Sequence, residues 1–254
     1  MSLAALRRKD NPFRALRRPL VPENVARWRF PGLEDRVTIV GATGSGKTTA
    51  GAWLLSFADF DKQPFVIVNF KRERIFRAIS RAIQIDVEED IPTKPGLYHL
   101  EPVVGLDDDA LESWLWKVWR NASNGRPVGI FVDEGYLWPN VKHSKALRAV
   151  LVTGRSLKIP TTILSQRPVE IPRFAFSETT FFQQFRLNDA RDYATVEEFT
   201  PDDEVWSRET ELPRFHSRWR DQAENFSCHL APVPDMNRIL ERFDARLRPR
   251  KRLI

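Results

Sequence analysis

Cysteine is almost missing: Cys228 stands alone among 254 residues. That excludes an intrachain disulfide and any zinc or iron–sulfur site built on several thiolates, and it suits a reducing compartment. No stretch approaches the roughly 18 to 20 consecutive apolar residues that a membrane-crossing helix needs. The start of the chain also lacks the apolar core of a secretion signal. The expectation is a cytoplasmic protein with no membrane partner. The four histidines, His99, His143, His216 and His229, show no metal-ligand spacing, and no nucleophile triad is evident. Internal repeats are absent too, and biased composition is confined to the two ends.

Aromatic residues, by contrast, are plentiful. With 42% hydrophobic residues, 17 Phe and 8 Trp, the chain can bury a sizeable core, and 29% charged residues is ordinary for a globular protein. Its length fits one large α/β domain with small additions. Lys and Arg number 40 against 34 Asp and Glu, a net charge of +6 that favours a polyanionic partner. Arg7, Arg8, Lys9, Arg14, Arg17 and Arg18 crowd the beginning, and Arg246, Arg248, Arg250, Lys251 and Arg252 crowd the end. Such arms are either solvated tails or grips for nucleic acid.

Between the arms, apolar β-rich runs alternate with helical stripes. Strands are expected at 37–40, 65–69, 128–132, 161–164 and 179–186, with a further short one at 97–100. Helices are expected at 47–57, at 73–83 with Ile75, Phe76, Ile79 and Ile83 on one stripe, from Asp107 onward, at 143–157 and at 189–199. In the helix that Asp107 opens, Leu111, Trp114, Leu115 and Val118 recur at helical spacing, and Trp116 and Trp119 beside them suit packing. Runs 215–219 and 226–230 resemble a hairpin, and 235–247 a terminal helix. Strand and helix in alternation predict an α/β fold with a mainly parallel sheet, followed by a C-terminal hairpin and helix.

Gly41-Ala42-Thr43-Gly44-Ser45-Gly46-Lys47-Thr48 matches the phosphate-loop pattern and lies between an apolar strand and a helix, as that motif requires. Glycines at 41, 44 and 46 let backbone N–H groups and the helix start face an anion. Lys47 is expected on the β- and γ-phosphates of ATP and the Thr48 hydroxyl on Mg²⁺, with Thr49 near the α-phosphate. An apolar strand ending in Asp133-Glu134 supplies the Walker B half: Asp133 assists Mg²⁺, and Glu134 orients or deprotonates the attacking water. A group that activates water favours hydrolysis over phosphoryl transfer to another acceptor.

Beyond Walker B, a strand runs into Ser165-Gln166-Arg167-Pro168. The order of phosphate loop, Asp-Glu strand, Gly154-Arg155 and strand-Ser-Gln-Arg-Pro resembles the FtsK/HerA superfamily of DNA-translocating phosphate-loop ATPases, over residues 33–235. Its viral members package genomes, and the short chain is most similar to these. The resemblance implies that Gln166 is the polar sensor near the γ-phosphate. It implies that Arg155 is an arginine finger reaching a neighbour's nucleotide, and that Arg186, or else Arg191, is a second trans contact. Asn69-Phe70-Lys71 stands where many relatives show Asp-x-Lys, so the Asn departs from the pattern. The family further implies a homo-oligomeric ring, commonly a hexamer, double-stranded DNA in its pore, and a capsid or portal vertex as partner. Lys71, Arg72 and Arg74, placed on the far side of the sheet, are candidate grips for DNA phosphates.

Three segments follow: 1–32 as a basic arm and lead-in, 33–235 as the ATPase domain, and 236–254 as a C-terminal helix and basic tail. Rival readings are a translocase or helicase-like ATPase in DNA transfer or repair, a phage assembly ATPase, a small-molecule kinase and a nucleotide-gated scaffold without turnover.

Overall fold

The computed structural model describes residues 29–207 and 212–247. Apart from Arg246, both basic arms lie outside the described residues. In chain order the elements are β1 (Arg36–Val40), α1 (Lys47–Leu55), β2 (Pro64–Asn69), α2 (Arg74–Arg77), β3 (Ile83–Ile85), β4 (Gly96–Leu100), α3 (Asp108–Ser123) and β5 (Gly129–Asp133). There follow α4 (Lys145–Thr153), β6 (Thr161–Ser165), α5 (Phe174–Ser177), β7 (Phe181–Gln184), α6 (Ala190–Glu197), β8 (Ser217–Asp221), β9 (Phe226–Leu230) and α7 (Met236–Leu247).

Among the described residues, the nine strands join one sheet in the order β3-β4-β2-β5-β6-β1-β7-β8-β9. The run from β3 to β7 is parallel, and the hairpin of β8 and β9 continues it antiparallel. The central strands Arg-Val-Thr-Ile-Val and Gly-Ile-Phe-Val-Asp are buried along their whole length, as strands covered by helices on both faces must be. Successive side chains go to opposite faces, and two cores result. One holds Val40, Val66, Val68, Ile130 and Val132 under α3 and α4. The other holds Val37, Ile39, Phe65, Ile67 and Phe131 under α1, with Ile239 and Phe243 of α7 beside them.

The helices on the first face follow from their stripes. Leu111, Trp114, Leu115 and Val118 of α3 are buried, and Asp108 and Asp109 sit in its first turn, where the helix dipole favours acids. Trp116 and Trp119 pack edge to face, and the Trp119 indole donates to Thr153 Oγ1 at 2.9 Å. Ser144 caps α4 by accepting the Leu147 N–H at 3.0 Å.

One expected element is corrected. The stripe at 73–83 forms only the single-turn helix Arg74–Arg77, and Ile83–Ile85 is an edge strand paired with β4. Ile75, Phe76 and Ile79 are buried while Ile83 is 53% exposed, so the last member of the supposed stripe faces outward. An Ile-Gln-Ile alternation suits a strand as well as a helix turn, and pairing with β4 decides between them.

Candidate active site

The phosphate loop leaves the C-terminal end of β1 between its two neighbours. Gly41 N–H donates to the Ser165 carbonyl of β6 at 3.2 Å, and Ala42 N–H to the Arg186 carbonyl just after β7 at 2.9 Å. Its glycines have distinct reasons. A Cβ on Gly41 would lie 2.6 Å from Phe185 Cβ, and Gly46 takes φ +98° where it opens α1. No side chain caps that helix, so the N–H groups of its first turn remain for an anion. The cleft here measures about 270 Å³ and is lined by Ala42 to Thr49, together with Lys71, Glu73, Glu134, Gln166 and Phe215.

Parallel packing carries the second half to the same place, since β5 ends beside β1 with only β6 between. Asp133 Oδ1 accepts from Thr48 Oγ1 at 3.4 Å, while its Oδ2 is buried without a hydrogen-bond partner. Burial pushes the Asp133 carboxyl up to about 7, Lys47 opposing and Glu134 adding to the rise. An orphaned carboxylate oxygen beside a hydroxyl is the donor pair that a hard divalent cation takes, so these residues fit Mg²⁺. No cluster of three or more His, Cys, Asp and Glu suited to a metal exists among the described residues. A cation here would therefore rely on substrate oxygens and water as well.

Glu134 follows in a left-handed turn, φ 61°. Gly135 permits the turn, because a Cβ there would meet Ile163 Cγ2 at 2.4 Å. The carboxylate is 3% exposed and saturated with donors: Lys47 Nζ at 2.5 Å and Lys71 Nζ at 3.2 Å on Oε1, and the Gln166 N–H at 3.1 Å on Oε2. Gln166 then bridges the loop and a tyrosine. Its Oε1 accepts from Thr43 Oγ1 at 2.6 Å, and its Nε2 donates to the Tyr136 hydroxyl at 2.7 Å.

The structure thus brings Lys47, Thr48, Asp133, Glu134 and Gln166 together in one cleft. It does not bring Arg155 there. Arg155 is exposed in the turn between α4 and β6, close enough to Arg36 at the start of β1 to act on its charge, and so at the opposite end of the sheet. The Arg186 side chain is exposed, with its backbone against the loop of its own subunit; Arg191 lies on α6, paired with Asp189 at 3.5 Å.

Lys71 is a correction. The basic turn after β2 lies at the phosphate-loop end of the sheet rather than on its far side, and Lys71 reaches Glu134. Asn69 builds that turn. Its Oδ1 accepts the Glu73 N–H at 2.8 Å, and its Nδ2 lies 3.0 Å from His99 Nε2. Because Asn69 pairs in register with Asp133, an amide at this position adds no charge to the acid beside it. Sequence reasoning also missed Tyr136 and Phe215. No motif marks them, although Tyr136 follows the Asp-Glu pair by only two residues.

No family model matches the sequence. Structures under 25% identical share the fold. The genome packaging NTPase B204 from Sulfolobus turreted icosahedral virus 2, in complex with ATP-gammaS, aligns with TM-score 0.59 and 14% identity over 80% of this chain and 100% of its own. EssC (ATPases 2 and 3) from Geobacillus thermodenitrificans aligns with TM-score 0.56 and 12% identity over 84% of this chain and 44% of its own. These likenesses bear out the phosphate-loop NTPase fold expected from the sequence. The DNA packaging ATPase P9 of Enterobacteria phage PRD1 is 39% identical over 222 residues, which cover 85% of this chain and 95% of that protein. Similarity of that degree over nearly the whole of both proteins means that the chain belongs to the family of the viral DNA packaging ATPase P9.

Proposed function

We propose that the protein hydrolyses ATP in the cleft at Gly41 to Thr49 and couples turnover to moving double-stranded DNA into a viral capsid. The observation that carries this reading is the meeting of Lys47, Glu134 and Gln166 around one space at the start of α1. Lys47 and the α1 N-terminus hold the β- and γ-phosphates. Phosphate oxygens then replace Glu134 as the partner of Lys47, and the released carboxylate takes a proton from water. That water attacks the γ-phosphorus as the bond to the bridging oxygen breaks, giving ADP and phosphate. Gln166, able to donate and accept at once, orients the water against the phosphate. Thr48 and Asp133 would hold Mg²⁺, whose chemistry is to neutralise phosphate charge.

Arg155 cannot serve the nucleotide of its own subunit from the other end of the sheet. In a head-to-tail ring, of which a hexamer is the form we favour, that end faces the next subunit's cleft, and its guanidinium completes the site there. Arg186, at the edge of the loop, is a second candidate for contact across the interface. The basic arms and the Arg72 and Arg74 turn supply positive charge for DNA. No helix among the described residues is long and apolar enough to cross a membrane. The reading places the protein in the host cytoplasm or docked at a capsid or portal vertex.

Steady-state ATP hydrolysis with and without double-stranded DNA tests the coupling. The rate should rise with DNA in the assembled protein, and a rate indifferent to DNA would overturn the motor reading. Mixing Arg155→Ala with Lys47→Ala protein tests the shared site. Each is expected to be inactive alone, and activity should return on mixing, since some interfaces then join an intact loop to an intact arginine.

A further inference from the structure

The residues assembled so far handle a triphosphate; none of them deals with the base. Phe215 lies in the same cleft and is the exception to two rules at once. It is 41% exposed although large and apolar, and it is held at φ 64°, a left-handed conformation that a bulky side chain seldom adopts. Strain of this kind persists only where the surroundings enforce it, and it gathers at ligand sites.

We propose that Phe215 is the stacking platform for the base of the bound nucleotide, and that the cleft selects purine nucleoside triphosphates through that ring. Position supports this. A Cβ on Gly46 would lie 3.2 Å from Phe215 Cδ1, so the ring flanks the residue that opens α1. Thr49, expected near the α-phosphate, lines the same cleft as Phe215, so a nucleoside beyond the α-phosphate has the ring within the space it would enter. Phe185, only 2% exposed, packs beneath Gly41 and Gly46 as the floor of the loop. Phe215 is the accessible aromatic of the pair.

Orientation supports it as well. The Arg214 guanidinium lies over one face of the Phe215 ring, 4.6 Å from its centroid. A base on the other face would complete an arginine, phenylalanine and base stack. Stacking depends on π-surface rather than on a hydrogen-bond pattern, so a bicyclic purine gains more than a pyrimidine.

This inference rests on the nucleotide-site reading above, and the test separates the two. Binding of ATP, CTP and inorganic tripolyphosphate, each with Mg²⁺, is measured by calorimetry on the full chain and on Phe215→Ala, Phe215→Gly and Phe215→Trp. Phe215→Gly accepts the left-handed backbone while removing the ring, so it separates strain from stacking. The Ala and Gly variants should bind ATP about tenfold more weakly, CTP by a smaller factor and tripolyphosphate unchanged, and Trp should restore ATP binding. Equal loss for tripolyphosphate, unchanged ATP affinity in the Ala and Gly variants, or failure of Trp to restore it would overturn the platform and leave the phosphate site standing. If wild type bound neither ATP nor tripolyphosphate, the nucleotide site and the platform would fall together.

Discussion

The Nζ of Lys47 lies 2.5 Å from Oε1 of Glu134, so the residue proposed to anchor phosphate and the residue proposed to activate water neutralise each other. Both are about 96% buried, and Lys71 Nζ shares the same oxygen at 3.2 Å. On the proposed mechanism a nucleotide entering the cleft parts them: the γ-phosphate competes for Lys47, and its success leaves Glu134 able to accept a proton.

Glu134→Gln keeps the shape of the side chain and removes its basicity. ATP binding should survive while kcat falls by about a hundredfold to ten-thousandfold, the range for loss of a general base. Single-turnover hydrolysis alongside equilibrium nucleotide binding checks this. Loss of both together would assign Glu134 a structural role.

On the proposed mechanism, Lys71, 3.2 Å from Glu134 Oε1, keeps its hold on that carboxylate when Lys47 turns to phosphate. Lys71→Met should therefore lower kcat by roughly tenfold with little change in KM, because the carboxylate loses its remaining charged neighbour. The same variant should retain its affinity for DNA at moderate salt. Weakened DNA binding with an intact kcat would return Lys71 to the role of a DNA grip.

Gly51, on the face of α1 turned to the sheet, is a packing requirement. A Cβ there would lie 2.7 Å from Leu164 Cδ2 and 3.0 Å from Phe131 Cζ. Gly51→Ala should cost about 1–3 kcal/mol through overpacking, even though alanine is the better helix former. Thermal or urea unfolding measures it, and an unchanged midpoint would mean that the sheet yields easily at this point.

Cys228 provides a probe of the hairpin because burial pushes its thiol from the ordinary 9.0 up to about 12. The protonated form is the one the fold accommodates. This contribution to stability is whole below pH about 9 and is lost as pH rises towards 12. At pH 8 a thiolate-specific reagent should react slowly with the native protein and quickly once it is unfolded. Rapid native labelling would show that the fold does not hold the thiol in its protonated form.

The phosphate loop and the Asp133-Glu134 pair were legible in the sequence because their chemistry demands contiguous residues in a fixed setting. Most strands were legible too, since a doubly covered sheet makes apolar runs. What escaped depends on neighbours distant along the chain. Thr43 meets Gln166 across 123 positions, and Tyr136 joins the site through Gln166 and through Lys71, whose Nζ lies 5.7 Å from the centroid of its ring. Lys71 follows the C-terminal end of β2, and a parallel sheet gathers all such ends on the phosphate-loop side, so the expected parallel sheet already contradicts a far-side position. What no local pattern encodes is that β2 lies next to β5, which brings Lys71 within reach of Glu134. The edge strand at Ile83 was masked by a helical spacing that it satisfies by chance. Phe215 is one aromatic among many until the hairpin brings it to Gly46.

In the proposed ring, the opposite placement of Arg155 and the phosphate loop would give each subunit a donor end and an acceptor end, joined by the parallel strands between them. Around a closed circle such units have a sense of rotation, as gears cut with slanted teeth do. An inactive subunit would then stall events unequally on its two flanks. Lys47→Ala would silence the cleft of the subunit that carries it, and Arg155→Ala the cleft of the subunit next along.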